Sequence, residues 1–326
     1  MKISILQISD LHRDPRNAIR NDVLLQSLEN DRQRYTRTTN PTIKTPDLII
    51  VSGDIIQGVP RGVADYEEEL RKQYAEAISF LGQITDRVLG GDRQRVIIVP
   101  GNHDVSACHL MESVTKHEIQ PDRKKALASR LFSPDSLMRW SWDDLELFEI
   151  TNAERYRDRL AAFAQFYSDF YQGTRTYDLD PSKQFDVFDY PQFNLTISGF
   201  SSCHNNDILN KQGMIHPACI AGAQERLRLA EFNGRLRVAV WHHNTEGSPI
   251  QTDYMESDVL QNLIDGGFSI GFHGHQHRPQ FLNTRFRYGE DRRIQVISAG
   301  TLCGGASFAH GRAYNIVEID TEEGRG

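Results

Sequence analysis

Short apolar runs alternate along the chain with longer stretches in which apolar positions recur every three or four residues. The short runs predict strands at residues 3–9, 48–52, 96–99, 195–198, 238–241, 269–272, 295–298 and 314–319. The longer, helix-period stretches predict helices at 22–34, 65–88, 153–171, 223–232 and 257–264. Strands alternating with helices point to an α/β domain. No internal repeat or low-complexity tract interrupts the rhythm.

Two regions depart from it. The stretch at about 105–182 is expected to be a mostly helical insertion, and it holds Trp140 and Trp142. Its last helix places Tyr156, Leu160, Phe163, Phe166, Tyr167, Phe170 and Tyr171 on one face. That face is expected to pack on the core, with a cap over an active site as the alternative. The second region is the end of the chain. A strand at 314–319 is followed by DTEEGRG at 320–326, a turn with nothing to turn into. The expectation is a truncated chain whose natural form continues past Gly326 into another strand and a further C-terminal domain, with a partner protein as the alternative.

Composition narrows the class. The chain has 326 residues, 39% hydrophobic and 25% charged, enough for a packed core and against disorder. A net charge of −7 argues against a general nucleic-acid coat, while leaving room for a local basic patch. The apolar start, MKISILQIS, meets Asp10 and His12 too soon for a signal peptide or a membrane span. No membrane partner is expected. The cysteines, Cys108, Cys203, Cys219 and Cys303, form no CxxC pair and read as reduced thiols of a cytoplasmic protein.

The histidines bunch, and they do so at strand ends. Five short motifs follow five of the predicted strands: Asp10-Leu-His12, Gly53-Asp54, Gly101-Asn102-His103-Asp104, His242-His243, and Gly274-His275-Gln276-His277. The loops beyond the carboxyl ends of strands are where open α/β sheets bind ligands. A single such motif is weak evidence. Five in register with five strands are not explained by core packing.

Together these residues resemble the calcineurin-like metallophosphoesterase family, which includes cyclic-nucleotide phosphodiesterases, Mre11-type nucleases, phosphoprotein phosphatases and purple acid phosphatases. The resemblance runs from about residue 2 to 319 outside the insertion. It implies a four-layer sandwich, two mixed β-sheets flanked by helices, and two divalent metal ions: manganese first, with iron, zinc or cobalt as alternatives. Asp10, His12 and His277 would hold one metal, Asn102, His242 and His275 the other, and Asp54 would bridge. Either histidine of the 242–243 pair could serve; His242 is taken because it directly ends its strand. His103 would face the substrate without binding metal, with Asp104 orienting it.

The donor types suit that implication. Imidazole and oxygen ligands without thiolates favour such metals over a structural zinc site. Two divalent ions against two carboxylates leave a charge of about +2, or about +1 with a bridging hydroxide, which attracts phosphate. The implied reaction is hydrolysis of a phosphate ester by metal-activated hydroxide. Protonated His103 would aid the leaving oxygen.

Some positions depart from the family pattern or lie outside it. Gln57, third after Asp54, stands where many relatives have Asp or Asn, and Asn244 where many have Pro; neither is a ligand position. His273 reads as a strand-end histidine without a role. Arg13 and Arg278 flank ligands and are either phosphate-binding or merely solvated. Arg285, Arg287, Arg292 and Arg293 lie in an expected hairpin that is either a basic lip for a polyanion or an exposed strand face. On these residues the expected function is phosphodiester hydrolysis of nucleotides or nucleic acid. Phosphomonoester hydrolysis and a non-catalytic scaffold are the rivals. The intact ligand set weakens the scaffold reading.

Overall fold

The computed structural model describes all residues except 17–18, 121, 123, 132, 134–135, 248–252, 286–292, 303–310 and 323–326. The chain begins with β1 (Lys2–Ile8), which leads to α1 (Asn21–Arg37), β2 (Leu48–Ser52), α2 (Tyr66–Leu89) and β3 (Val96–Val99). In α2, Leu70, Tyr74, Ala77, Phe80, Leu81 and Ile84 recur at helical spacing and are buried. Three glutamates in its first turn suit the helix dipole, and Gly90 ends it in the left-handed conformation (φ 64°).

The 105–182 region holds helices and, beyond the expectation, a small sheet. It holds α3 (Ala107–Ser113), β4 (Val114–Lys116), α4 (Lys124–Leu131), β5 (Met138–Ser141), β6 (Glu146–Ile150), α5 (Ala153–Arg157) and α6 (Ala161–Phe170). The three strands form their own antiparallel sheet, in the order β4-β6-β5. The sequence hid them because strands as short as VTK and MRWS carry little periodicity. The expected 153–171 helix is broken by a 3-10 turn at Asp158–Leu160. Its aromatic face is core, as expected: Phe163, Phe166, Tyr167, Phe170 and Tyr171 are at most 1% exposed.

Beyond the insertion come β7 (Phe185–Tyr190), β8 (Leu195–Phe200), α7 (Pro217–Arg226), β9 (Leu236–Val240), α8 (Asp258–Asp265), β10 (Ile270–His273), β11 (Gln280–Arg285), β12 (Arg293–Ser298) and β13 (Asn315–Asp320). Helix α7 starts six residues earlier than the 223 expected, because Pro217 occupies its first turn and the His216 ring caps it. Strand β7 was not expected, and β11 only as an arm of the arginine-rich hairpin, without bounds of its own. They are the two edges of their sheet, where polar side chains blur the pattern.

Two mixed sheets make the body, as the family resemblance implied. One runs β13-β1-β2-β3; the other runs β11-β12-β10-β9-β8-β7. In each, the central pairs are parallel and the outer β1–β13, β11–β12 and β7–β8 pairs antiparallel. The main core joins residues of both sheets, such as Ile50, Val99, Val240 and Phe272, to α1, α2 and α6. A second core covers the other face of the larger sheet with α7 and α8. The parallel strands β1, β2, β3, β9 and β10 therefore end at one edge of the sandwich, and the five motifs follow them.

Candidate metal centre

Backbone contacts weld the motif loops together. Asp10 N–H donates to the Gly53 carbonyl (3.1 Å) and His12 N–H to the Asp54 carbonyl (3.0 Å), so the loops after β1 and β2 run side by side. His103 N–H donates to Asp54 Oδ1 (2.9 Å), fastening the loop after β3. From the other sheet, Gly274 N–H donates to the His242 carbonyl (3.0 Å) and His275 N–H to Asp10 Oδ2 (3.1 Å). A Cβ on Gly274 would collide with Ser9 and Asp10, so only glycine lets this loop approach the first sheet.

Asp10, His12, Asp54, His275 and His277 all have positive φ, between 43° and 74°. Left-handed backbone is unfavourable for residues with a Cβ and gathers where side chains must be aimed at a functional centre. Here it turns the side chains inward. One group brings Asp10, His12 and His277 together, another Asp54, His242 and His275, and a third His12, Asp54 and His103, each with donor atoms within 4.8 Å of one another. Asn102 belongs here too: its Oδ1 is 3.1 Å from His242 Nε2 and 2.9 Å from His275 Nδ1. His242 Nδ1 meets the Ser52 carbonyl at 2.7 Å, which leaves Nε2 facing Asp54 Oδ1 at 3.2 Å. Its neighbour His243 turns to the Ser202 hydroxyl instead.

The charges respond to this crowding. Burial opposes ionisation of Asp54, but the adjacent His242, His103 and His12 outweigh it and hold its pKa well below the usual range. Burial likewise pulls His242 down, yet Asp54 and Asp10 push it up to about 9. Asp10 is lowered despite burial, by its hydrogen bond to His277, and His277 is raised by the same bond. Burial drives His12 down to about 4. Protonated His242 and His277 thus neutralise Asp10 and Asp54, a task that cations can take over by displacing those protons. The nest of carboxylate, amide and imidazole donors, with Asp54 at its middle, fits a binuclear divalent metal site.

Two expectations are corrected. Asp104 does not orient the His103 ring. It is buried, and its carboxylate accepts from Gly101 N–H (2.8 Å), Ile55 N–H (3.2 Å) and Tyr74 O–H (3.1 Å). Burial, and then the Asp54 charge, raise its pKa to about 7. The ring is held by the Gln57 carbonyl, 2.7 Å from His103 Nδ1. A main-chain group does this, so the departure at Gln57 changes nothing and no side-chain signal could have revealed it. The second correction concerns Arg13. Its side chain is 1% exposed, paired with Glu76 at 3.2 Å and packed over Phe80, so it is not presented to a substrate. A short distance from a ligand in sequence is no guide to direction.

Arg278 is exposed. Strands β11 and β12 form the expected hairpin, and Arg287 and Arg292 lie outside the described residues. His273 is buried, stacked on Trp241 and neutral, its pKa lowered by burial to about 4. Asp253 was not anticipated: its Oδ2 lies 3.5 Å from His275 Nε2.

A cleft of about 1090 Å³ opens on the centre, lined among others by Asn102, His103, Asp253 and His275. The insertion supplies part of its wall through Ser141 and Asp143.

The calcineurin-like phosphoesterase family model matches residues 3–279 of this sequence. The chain belongs to the calcineurin-like phosphoesterase family. It is a metal-dependent phosphoesterase, and the clustered donors fit a binuclear divalent metal site. No curated protein matches the sequence. Solved structures of similar shape include a dimetal phosphatase from Danio rerio, 13% identical, covering 96% of this chain and 91% of that one at a TM-score of 0.48. A second is the protein TT1561 of Thermus thermophilus, 12% identical, with 94% and 92% covered and a TM-score of 0.40. A third is the yellow lupin purple acid phosphatase PPD1, 10% identical at a TM-score of 0.47. There, 98% of this calcineurin-like chain matches 48% of the lupin one.

Proposed function

We propose that this chain hydrolyses phosphodiesters of nucleotide size at a two-metal centre, in the cytoplasm. The observation that carries the reading is the convergence of seven ligand-type side chains, five in left-handed conformation, on the edge of one cleft. Asp10, His12 and His277 would hold one metal, Asn102, His242 and His275 the other, and Asp54 would lie between them. Two bound divalent cations, manganese the expected pair, supply Lewis acidity and make hydroxide available near neutral pH.

The chain's own groups do the rest. His103 is about one-third exposed and lines the cleft, whereas Asp54 and His242 beside it are buried. With Nδ1–H donated to the Gln57 carbonyl, protonated His103 keeps a second N–H, on Nε2, for the departing alkoxide oxygen. Gln57 thereby fixes the ring, and Asp104 fixes the loops on which Asp54 and Asn102 ride.

Charge in the cleft favours a diester, which carries one negative charge, over a dianionic monoester or a polymer. Asp14 and Glu69 are paired with Arg16 and Asp207 with Arg139, while Asp65, Asp143 and Asp253 also line the cleft, with Lys211 as its lysine. Its arginines are engaged: Arg16 with Asp14 at 2.8 Å, and Arg61 with Asp144 at 2.7 Å. A nucleic-acid strand would bring further phosphates against those acids.

The test is turnover by the Mn²⁺-loaded protein of bis(4-nitrophenyl) phosphate, 4-nitrophenyl phosphate, cyclic nucleotides and single-stranded DNA. The diesters of nucleotide size are expected to have the highest kcat/KM. His103→Ala is expected to keep both metals and lose roughly 10²–10⁴-fold in kcat. Asp54→Ala should lose metal and turnover together. A preference for the monoester would refute the diester assignment, and an inert protein with both metals bound would make it a scaffold.

A further inference from the structure

We propose that Gln73 on α2 is a positioning residue for His103: its side-chain amide clamps the peptide unit between Gln57 and Gly58, and the carbonyl of that unit holds the His103 ring. This rests on the reading of His103 given above and goes one contact further back from the leaving oxygen.

Gln73 lies on the buried face of α2, at helical spacing between Leu70 and Ala77, and is 1% exposed. An amide buried there must find partners for both of its ends. The Asp14 carboxylate can only accept, so its Oδ2, 3.1 Å away, takes the NH₂ end. The same NH₂ donates to the Gly58 carbonyl at 3.3 Å, and Gln73 Oε1 accepts from Gly58 N–H at 3.0 Å. Gln73 thus holds both polar groups of one glycine. It leans on Asp14, which is itself held by the backbone N–H and the guanidinium of Arg16.

The Gly58 N–H and the Gln57 carbonyl belong to one peptide unit. That unit is trans, so the two groups point in opposite directions. Gln73 binds it on one side; on the other, its carbonyl accepts from His103 Nδ1–H at 2.7 Å. Tying down the N–H fixes the direction of the carbonyl and strengthens it as an acceptor. A clamp matters here because Gly58 has a φ of 79° and no Cβ to resist rotation of the unit. The loop also lies against this edge of the ring: a Cβ on Gly58 would stand 3.7 Å from His103 Nδ1 and 2.9 Å from the His103 carbonyl oxygen. With the unit turned over, an N–H would face Nδ1 instead of a carbonyl. The neutral ring would then have to carry its proton on Nε2, or swing away.

Two readouts separate this role from a general one in the fold. The first is ¹⁵N NMR of the histidines in the protein loaded with diamagnetic Zn²⁺. Neutral His103 is expected to carry its proton on Nδ1 in the unaltered chain and to shift toward Nε2 in Gln73→Leu. The second is turnover by the Mn²⁺-loaded protein. On cyclic nucleotides, which release an alkoxide, Gln73→Leu is expected to lose about 10–100-fold in kcat, with KM changed by no more than about twofold. The loss should be smaller on bis(4-nitrophenyl) phosphate, whose leaving group needs little help from an acid. In a His103→Ala background the same substitution should cost nothing more. Gln73→Glu, protonated beside Asp14, offers the same acceptor and donor. It is expected to recover most of the rate and the Nδ1 proton, and it tests the clamp even if Gln73→Leu does not fold. An unchanged tautomer and rate in Gln73→Leu, or an equal further loss in the His103→Ala background, overturns the clamp. A proton that moves with Gln73 while His103→Ala keeps full turnover upholds the clamp and overturns the acid role of His103.

Discussion

Asp104 stands one residue from the candidate acid, yet it works on the backbone. Its carboxylate joins Gly101 and Ile55, from the loops after β3 and β2, and receives the Tyr74 hydroxyl from α2. Removing it leaves two buried N–H groups unpaired, and an unsatisfied buried polar group costs about 1–3 kcal/mol. Asp104→Ala is expected to lose stability in that range by denaturant melts and to weaken metal binding, because the loops carrying Asp54 and Asn102 lose their common anchor. Stability kept within error would show that the carboxylate carries no such load. At this scale the sequence named residues that the structure gathers at one place, and sometimes the wrong partners for them. A GNHD motif puts a carboxylate beside His103 in the chain, but the 3-10 turn at Asn102–Asp104 sends successive side chains in different directions. Gln57 acts on His103 through its carbonyl, which every residue type possesses, so composition cannot show it.

At the scale of elements, the insertion is tied to the cleft by two ion pairs of different worth. Arg139 on β5 and Asp207 are 3% and 0% exposed. Arg61 and Asp144 are 42% and 28% exposed. Breaking a buried pair strands a charge, so Arg139→Ala is expected to destabilise the protein by about 3–5 kcal/mol. Arg61→Ala should leave the melting curve nearly unchanged, since water replaces the exposed partner. Similar losses from both would mean that the insertion does not lean on Arg139. Helices α1, α2 and α8 were legible because an amphipathic stripe repeats several times along each. The three-stranded sheet of the insertion was not legible. Its stability comes from pairing across tens of residues, as in Val114 opposite Ile150, which no local window contains.

Across the whole molecule, the two sheets meet at the candidate centre, so ligand-type residues from 10 to 277 share it. Asp10 and Asp54 are buried there and each disfavours the other's charge. Bound cations relieve that repulsion in the folded state alone. Chelation is therefore expected to lower Tm, by the equivalent of about 2.7 kcal/mol when free metal had stood a hundredfold above its Kd. Re-addition should restore it, and a Tm indifferent to chelation would argue that the folded protein holds no metal. By itself the sequence determined the α/β class, the parallel strands of both sheets and the ligand-type residues of the centre. Each of these is written locally, in apolar runs and the short motifs that end them. Only the tertiary structure decided that His242 and not His243 faces Asp54, that Arg13 turns away to Glu76, and that Gln73 reaches Gly58 from α2. Those outcomes depend on side-chain direction and on contacts between distant segments. The left-handed turns at Asp10, His12, Asp54, His275 and His277 set such directions, and they persist because the surrounding loops overdetermine them.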